Sequence, residues 1–319
     1  MDLLSHKRII GIDVSRDWLD IYCLADGARK RFTNSDAGHE RLVKLAQDRN
    51  ALVCFEATGG QEWGLWVVLD GAGIPSRQLP PAQIKAFAAS CGTRAKTDRI
   101  DAKLIARFMA FRPDAGRRLP HQKLRVIRAL VTKRRQLVEA RKRLLLQIKA
   151  QNKHSVTDIF ELMDDELKAF LDQKITNLEA QIEQAVASDH TLTETMQVLR
   201  SIPGIGPVAS TMLIAEMPEL GQISGAQAAA LTGLAPIPRD SGTMRGKRSI
   251  GGGRYALRHV LFQAAIVAKN HNPDMRIFAE RLKTAGKPHK VIITAIARKL
   301  ITIANALCKT RQIWKTQIN

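Results

Sequence analysis

From Ile9 to Val14 the chain reads Ile9-Ile10-Gly11-Ile12-Asp13-Val14, apolar but for one carboxylate. A run this short and this rich in β-branched residues reads as a buried strand over Arg8–Val14. Beyond it, Asp17–Ala25 and Ala28–Thr33 read as second and third strands, parted by the turn pair Asp26-Gly27. Asp36–Asn50 has helical spacing through Leu42, Val43, Leu45 and Ala46, and Ala51–Phe55 is another compact apolar strand. A helix near Glu62–Leu69 follows. Ser76–Leu79 reads as a fifth strand, and Pro80-Pro81 punctuates before a helix through Ile84–Ala89. Asp98–Phe111 is strongly helical in its periodicity.

Three strands, helix, strand, helix, strand, helices: this is the succession of an α/β, RNase H-like (RuvC-like) fold. The sequence places that head at residues 1–113, a helical coiled-coil region at 114–194, and a mainly α C-terminal domain at 195–319. Charge divides the same way. Residues 114–157 hold 13 basic and 2 acidic side chains, residues 158–194 hold 2 and 10, and residues 195–319 hold 18 and 5. In the middle, Leu124, Val131, Val138 and Leu145 recur every seven residues, with Leu130, Leu137 and Leu144 as an adjacent stripe. Leu171, Ile175, Leu178, Ile182 and Val186 continue the pattern, so two long amphipathic helices are expected, paired with each other or with another protomer.

A net charge of +20 on 319 residues points to a polyanionic partner, and nucleic acid is the expected one. A composition 45% hydrophobic excludes a wholly disordered chain. No stretch approaches the roughly 18 uninterrupted apolar residues of a membrane span, and the first residues lack a signal-peptide layout. Cys23, Cys54, Cys91 and Cys308 form no CxxC pair. That argues against a zinc ribbon or disulfide scaffold and fits a reducing, cytoplasmic setting.

Four acidic residues fall where catalytic carboxylates would fall. Asp13 interrupts the first strand, and Glu56 stands just past the apolar Val53-Cys54-Phe55. A buried carboxylate needs a cation or strong hydrogen bonds. Asp98 and Asp101, three apart at the start of a helix, project from one face. Read alone, Asp98 is equally a helix N-cap and Glu56 the start of a loop. If the helix face meets the strand ends, four carboxylates converge, and only divalent cations would relieve their repulsion. Hard oxygen ligands select Mg²⁺ or Mn²⁺, which act on phosphodiesters.

Two further motifs lie in the tail. In Leu199–Ala209 an apolar helix end, the turn Pro203-Gly204-Ile205-Gly206 and a new helix make a helix-hairpin-helix pattern, a backbone grip on DNA or else an ordinary helix–helix turn. Further on, Ser241 and Ser249 stand among Arg239, Arg245, Lys247, Arg248, Arg254, Arg258 and His259, with Gly251-Gly252-Gly253 as a plausible anion-binding entry. On its own, Ser241 reads as a turn residue. The helical middle adds a basic face through Lys133-Arg134-Arg135 and Arg141-Lys142-Arg143, which is expected to meet phosphates.

At these residues the chain resembles the DEDD-type bacterial insertion-sequence transposases, which include bridge-RNA-guided recombinases and the pilin-gene invertase. GIDVS, FEATG, TDRIDA, PGIG, GLAP, RDSG and LRHVLF carry the resemblance over nearly the whole length. It implies that Asp13, Glu56, Asp98 and Asp101 bind the metal and that Ser241, preceding Gly242, is a nucleophile forming a phosphoserine link to DNA. It further implies a structured guide RNA, and homodimers that assemble into a tetramer in the bacterial cytoplasm, associated with the nucleoid. Gly251-Gly252-Gly253-Arg254 departs from the Lys-Arg-Gly-type turn of many relatives. The competing readings are a metal-dependent Holliday-junction-type endonuclease using water, and a non-catalytic nucleic-acid-binding protein on a degenerate nuclease fold.

Overall fold

The computed structural model describes residues 8–92, 98–153, 159–238, 240–246 and 248–315. The chain forms two compact units, Met1–Pro120 and His121–Asn319.

The first unit is built on a five-stranded sheet. Its strands β1 (Ile9–Val14), β2 (Trp18–Cys23) and β3 (Arg29–Thr33) form an antiparallel meander, with Gly27 left-handed (φ 72°) in the second turn. After helix α1 (Asp36–Asp48), β4 (Leu52–Glu56) joins β1 in parallel. Helix α2 (Trp63–Gly71) then returns the chain to β5 (Ser76–Leu79), parallel to β4. The resulting order, β3-β2-β1-β4-β5, is that of an RNase H-like sheet. Helices α3 (Pro81–Ser90) and α4 (Asp98–Phe111) follow.

Both faces of the sheet are covered, which is why β1 reads as a continuous apolar run. Ile10, Ile12, Val14 and Phe55 pack with Leu42, Leu65, Trp66 and Leu69 of α1 and α2. Ile9, Cys54 and Leu79 pack on the other side with Ile84 of α3 and Ile105 and Met109 of α4. The chain leaves this unit only after Arg117, whose backbone pairs with Gln78 of β5.

The second unit is mainly helical. Helices α5 (Gln122–Gln151) and α6 (Glu161–Ala187) run antiparallel, tied by the ion pairs Arg134–Glu179 and Arg141–Asp172. Of the heptad stripe on α5, Val131 is buried, Leu124 and Val138 are half-buried and Leu145 is exposed, while Ile127, outside the stripe, is also buried. Next come α7 (His190–Ser201), α8 (Pro207–Glu216), α9 (Gly225–Leu231), α10 (Tyr255–His271), α11 (Pro273–Thr284) and α12 (His289–Thr310). The Asp189 carboxylate caps α7 by accepting from the Leu192 amide, and Ser224 with Gln227 forms a capping box on α9. By length and composition α12 could cross a membrane. Here Ile293, Ile296, Leu300 and Ile301 lie fully buried in a core shared with Leu199, Leu213, Leu261 and Ala265.

Between α9 and α10 the chain makes two antiparallel strand pairs that the sequence did not foretell. Strand β6 (Pro236–Ile237) pairs with β9 (Ser249–Ile250), and β7 (Asp240–Ser241) with β8 (Met244–Arg245). Two-residue strands are too short to carry a period of two, so the pattern is invisible in the sequence.

Candidate active site and nucleic-acid interface

The register of β1 on β4 pairs Ile12 with Phe55, and one step further it sets Asp13 beside Glu56. Glu56 is the last residue of β4 rather than the first of the loop. Side chains alternate along a strand. Ile9 belongs to the α4-side core, and the Cys54 thiol donates to the Ile10 carbonyl at 3.4 Å and faces the Ile105 carbonyl of α4. Asp13 and Glu56 have the same parity as these residues, so both project toward α4. Helix α4 lies directly on Gly11, with Ala102 and Ala106 against it. Asp101, half-buried, stands four residues before Ile105, which is buried in this core, so the two share a face of α4. Asp98 opens α4 one turn earlier, and its side chain lies outside the described residues.

These oxygens are the hard donors that Mg²⁺ or Mn²⁺ prefers. Among the described residues no three His, Cys, Asp or Glu side chains are close enough to hold a metal ion by themselves. Asp13, Glu56 and Asp101, all described, thus do not form such a group by themselves.

The structure adds a carboxylate that the sequence pattern did not single out. Asp20 of β2 is the antiparallel partner of Asp13 and shares its face. It is 7% exposed and accepts two hydrogen bonds from Arg31, Nε to Oδ1 at 2.9 Å and Nη2 to Oδ2 at 2.7 Å. Like charges directly opposite each other destabilise a ladder, and the Arg31 fork offsets this one. The signal was present, since Asp20 is the one charge inside Trp18–Cys23, but its meaning needs the register.

In the second unit Ser241 is exposed at the end of the β7–β8 hairpin, opposite Met244 and beside left-handed Gly242 (φ 56°). Arg245 pairs across the ladder with Asp240, whose carboxylate accepts from the Gly246 amide and lies 3.9 Å from Arg248. Ser249 sits in the β6–β9 pair, opposite Ile237. Arg239 and Lys247 lie outside the described residues. Arg254 grips Glu219 through both terminal nitrogens (2.8 and 2.6 Å) and donates to the Glu216 carbonyl at 2.7 Å. Arg258 donates to the Gly252 carbonyl at 3.0 Å. Gly252 and Gly253 are both left-handed, and Gly253 abuts Gly233. Gly253 thus packs on the chain's own backbone, whereas Gly252 has open space around it.

The turn between α7 and α8 divides its two glycines by task. Gly204 (φ 108°) is pressed against Ala268 of α10, whereas Gly206, the N-cap of α8, is exposed with open space around it. Both line a cavity of about 1110 Å³ between α5, α6, α8 and α10. Arg135, Lys142 and Arg143 of α5 line its rim, with Tyr255 and His259 of α10 across from them. Lys133 is exposed on α5. Arg134 and Arg141 are engaged by α6, and Lys142 and Arg143 lie 4.0 and 3.7 Å from Glu139.

An RNase H-like sheet with acidic side chains at the ends of its two central strands defines a class of enzymes that act on phosphodiester bonds. Two family models match this chain: one described as Transposase over residues 10–160, and one described as Transposase IS116/IS110/IS902 family over residues 196–280. The chain is 29% identical to the pilin gene-inverting protein of Moraxella bovis, over 98% of this chain and 99% of that protein. It is 28% identical to the protein of the same name from Moraxella lacunata over the same shares. An uncharacterized 42 kDa protein of insertion element IS900 from Mycobacterium paratuberculosis is 30% identical over 45% of this chain and 36% of its own length. The chain is a DNA recombinase of the transposase type, similar over residues 196–280 to the IS116/IS110/IS902 family.

Proposed function

We propose that this transposase cuts and rejoins the DNA of an insertion element with a carboxylate site in the first unit and a serine nucleophile in the second. The observation that carries the first half is the β1–β4 register, which sets Asp13 and Glu56 side by side toward α4. Asp13, Glu56, Asp98 and Asp101 hold Mg²⁺ or Mn²⁺. A cation held there would offset charge on the phosphate and on the leaving oxygen. Ser241 Oγ attacks phosphorus, and the bond from phosphorus to the sugar oxygen breaks. The serine proton passes to solvent and the leaving oxygen takes one up, giving a phosphoserine and a free sugar hydroxyl. Attack by the hydroxyl of an exchanged strand rebuilds the phosphodiester and releases Ser241. Exposure of Ser241 at a hairpin tip suits a nucleophile that must reach a duplex.

The turn at Gly204–Gly206 serves as a helix-hairpin-helix grip on the backbone, with α8 presenting its N-terminus at exposed Gly206. Helices α5 and α6 form the coiled-coil region, and the α5 cations Lys133, Arg135, Lys142 and Arg143 meet phosphates of DNA or of a structured guide RNA. Resemblance to the family supports the guide RNA, the dimer-to-tetramer assembly and a bacterial cytoplasmic, nucleoid-associated setting. As the Moraxella proteins are named for gene inversion, the same strand exchange between inverted sites is within reach of this chain.

The test is cleavage of element-junction DNA with the flanking RNA, with and without Mg²⁺. Asp13→Asn, Glu56→Gln and Asp98→Ala are expected to abolish cutting while DNA binding persists. Cutting at the wild-type rate by any of them removes that residue from the site. Binding that persists fully in EDTA, with no Mg²⁺-dependent cutting under any condition, would establish a binding protein instead.

A further inference from the structure

We propose that Glu62, with Gln78 and Arg117 behind it, is a positioning residue that fixes the loop following Glu56 and thereby sets the affinity of the carboxylate site for its divalent cation. The inference rests on the carboxylate site proposed for Asp13 and Glu56. Loop 57–61 follows directly on Glu56 and contains two left-handed glycines, Gly59 (φ 72°) and Gly60 (φ 113°). Such a segment has little stiffness of its own. Glu62 supplies it. Its Oε2 accepts from the Thr58 amide (3.2 Å), the Thr58 hydroxyl (2.9 Å) and the Gly60 amide (3.0 Å).

The same carboxylate is anchored from the sheet. Glu62 is 2% exposed, and its Oε1 accepts from Gln78 Nε2 at 2.6 Å. Gln78, itself buried, accepts from Arg117 Nε, and the backbones of Gln78 and Arg117 exchange two bonds of 3.0 Å. Arg117 also lies over the Trp66 ring of α2. A buried carboxylate is costly unless its oxygens are satisfied. Here one oxygen is satisfied by the loop and the other by the sheet. The other strand-end loop is tied into this one: Asn34 Nδ2 donates to the Ser15 carbonyl (2.8 Å), two residues past Asp13, and to the Gln61 carbonyl (3.2 Å). Both acid-bearing strand ends are thus held from behind. Groups that orient ligands in this way typically change metal affinity by roughly 10- to 100-fold when removed.

Mn²⁺ binding to the full-length protein, read by the loss of the free-ion electron-spin-resonance signal, tests this, with Tm recorded without metal. Glu62→Gln leaves one of its two positions facing donors with an amide NH₂, and a drop in Mn²⁺ affinity of about tenfold or more is expected. In the double variant Glu62→Gln/Gln78→Glu every hydrogen bond has a partner again. The amide introduced at position 62 turns its carbonyl to the loop and its NH₂ to the carboxylate introduced at position 78, which also receives Arg117. Wild-type affinity is expected to return. Unchanged Mn²⁺ affinity in a folded Glu62→Gln, or no recovery in a double variant of wild-type Tm, overturns the proposal. Should Glu62→Gln fail to fold, Thr58→Val removes one of the loop donors with the core intact; weaker Mn²⁺ binding at unchanged Tm supports the role, and wild-type binding overturns it. Asp13→Asn separates the two levels. If it binds Mn²⁺ as wild type does, the carboxylate site itself is wrong and this inference falls with it.

Discussion

The carbonyl oxygen of Ala102 in α4 lies 2.3 Å from the point where a Cβ on Gly11 of β1 would stand, with the Ala106 amide nitrogen at 2.6 Å. Strand and helix meet there with only the Ala106 methyl at the contact, and α4 carries Asp101 one turn before Ile105, which is buried against the sheet. Gly11→Ala must push α4 off the sheet, because both obstructing atoms are backbone. A loss of about 3 kcal/mol is expected from overpacking of this kind, read as a shifted urea midpoint, together with weaker Mn²⁺ binding. Wild-type stability would contradict the close approach.

Acid should loosen the same unit through His39. It is 5% exposed; its Nε2 is bonded to Asn34 Oδ1, and its Nδ1 is buried with no partner among the described residues. Burial holds its imidazole below the ordinary value. The folded state therefore keeps His39 neutral where the unfolded chain protonates it, from about pH 6.5 downward. The stabilisation is complete above that pH and is lost as pH falls toward the lower folded value. Urea midpoints between about pH 7.5 and 5.5 should fall in wild type and fall less in His39→Gln; equal slopes would exclude His39.

The two glycines of the α7–α8 turn should part company. In Gly204→Ala the new methyl meets Ala268 Cβ at 2.5 Å at a φ of +108°, so Tm should drop sharply. Gly206 has open space, so Gly206→Ala should keep its Tm and lose DNA affinity if α8 offers its N-terminus to phosphate. Equal DNA affinity in Gly206→Ala would assign the turn to packing alone.

The basic residues should divide likewise. Arg254 is committed to Glu219 and the Glu216 carbonyl, so Arg254→Ala should lower stability. Arg135→Ala should leave stability alone and weaken DNA or RNA binding. It should also reduce the slope of log affinity against log salt by about 0.9 for each duplex phosphate that Arg135 neutralises. An unchanged slope would remove Arg135 from the interface.

The head was legible because its strands are short apolar runs separated by turn pairs, and β5 and α4 fall where periodicity places them. Asp13 stood out as a charge within such a run. Asp20 and Glu62 did not: the first gains meaning only when the β1–β2 register sets it opposite Asp13, and the second sits before the apolar Trp63–Leu69, where it passes for a first-turn acid. The charge of Arg254 pointed to phosphate, yet its partners come from 35 and 38 residues away, a separation no local pattern reveals. The strands around Ser241 were hidden because two residues cannot show alternation.

The most direct measurement is a search for a denaturation-resistant protein–DNA adduct, with purified protein, Mg²⁺, the flanking RNA of the element and labelled junction DNA. An adduct is expected in wild type and in Ser249→Ala, and none in Ser241→Ala. Cut DNA without any adduct would contradict it in favour of hydrolysis by water, and an adduct that survives Ser241→Ala and vanishes in Ser249→Ala would move the nucleophile to the other serine.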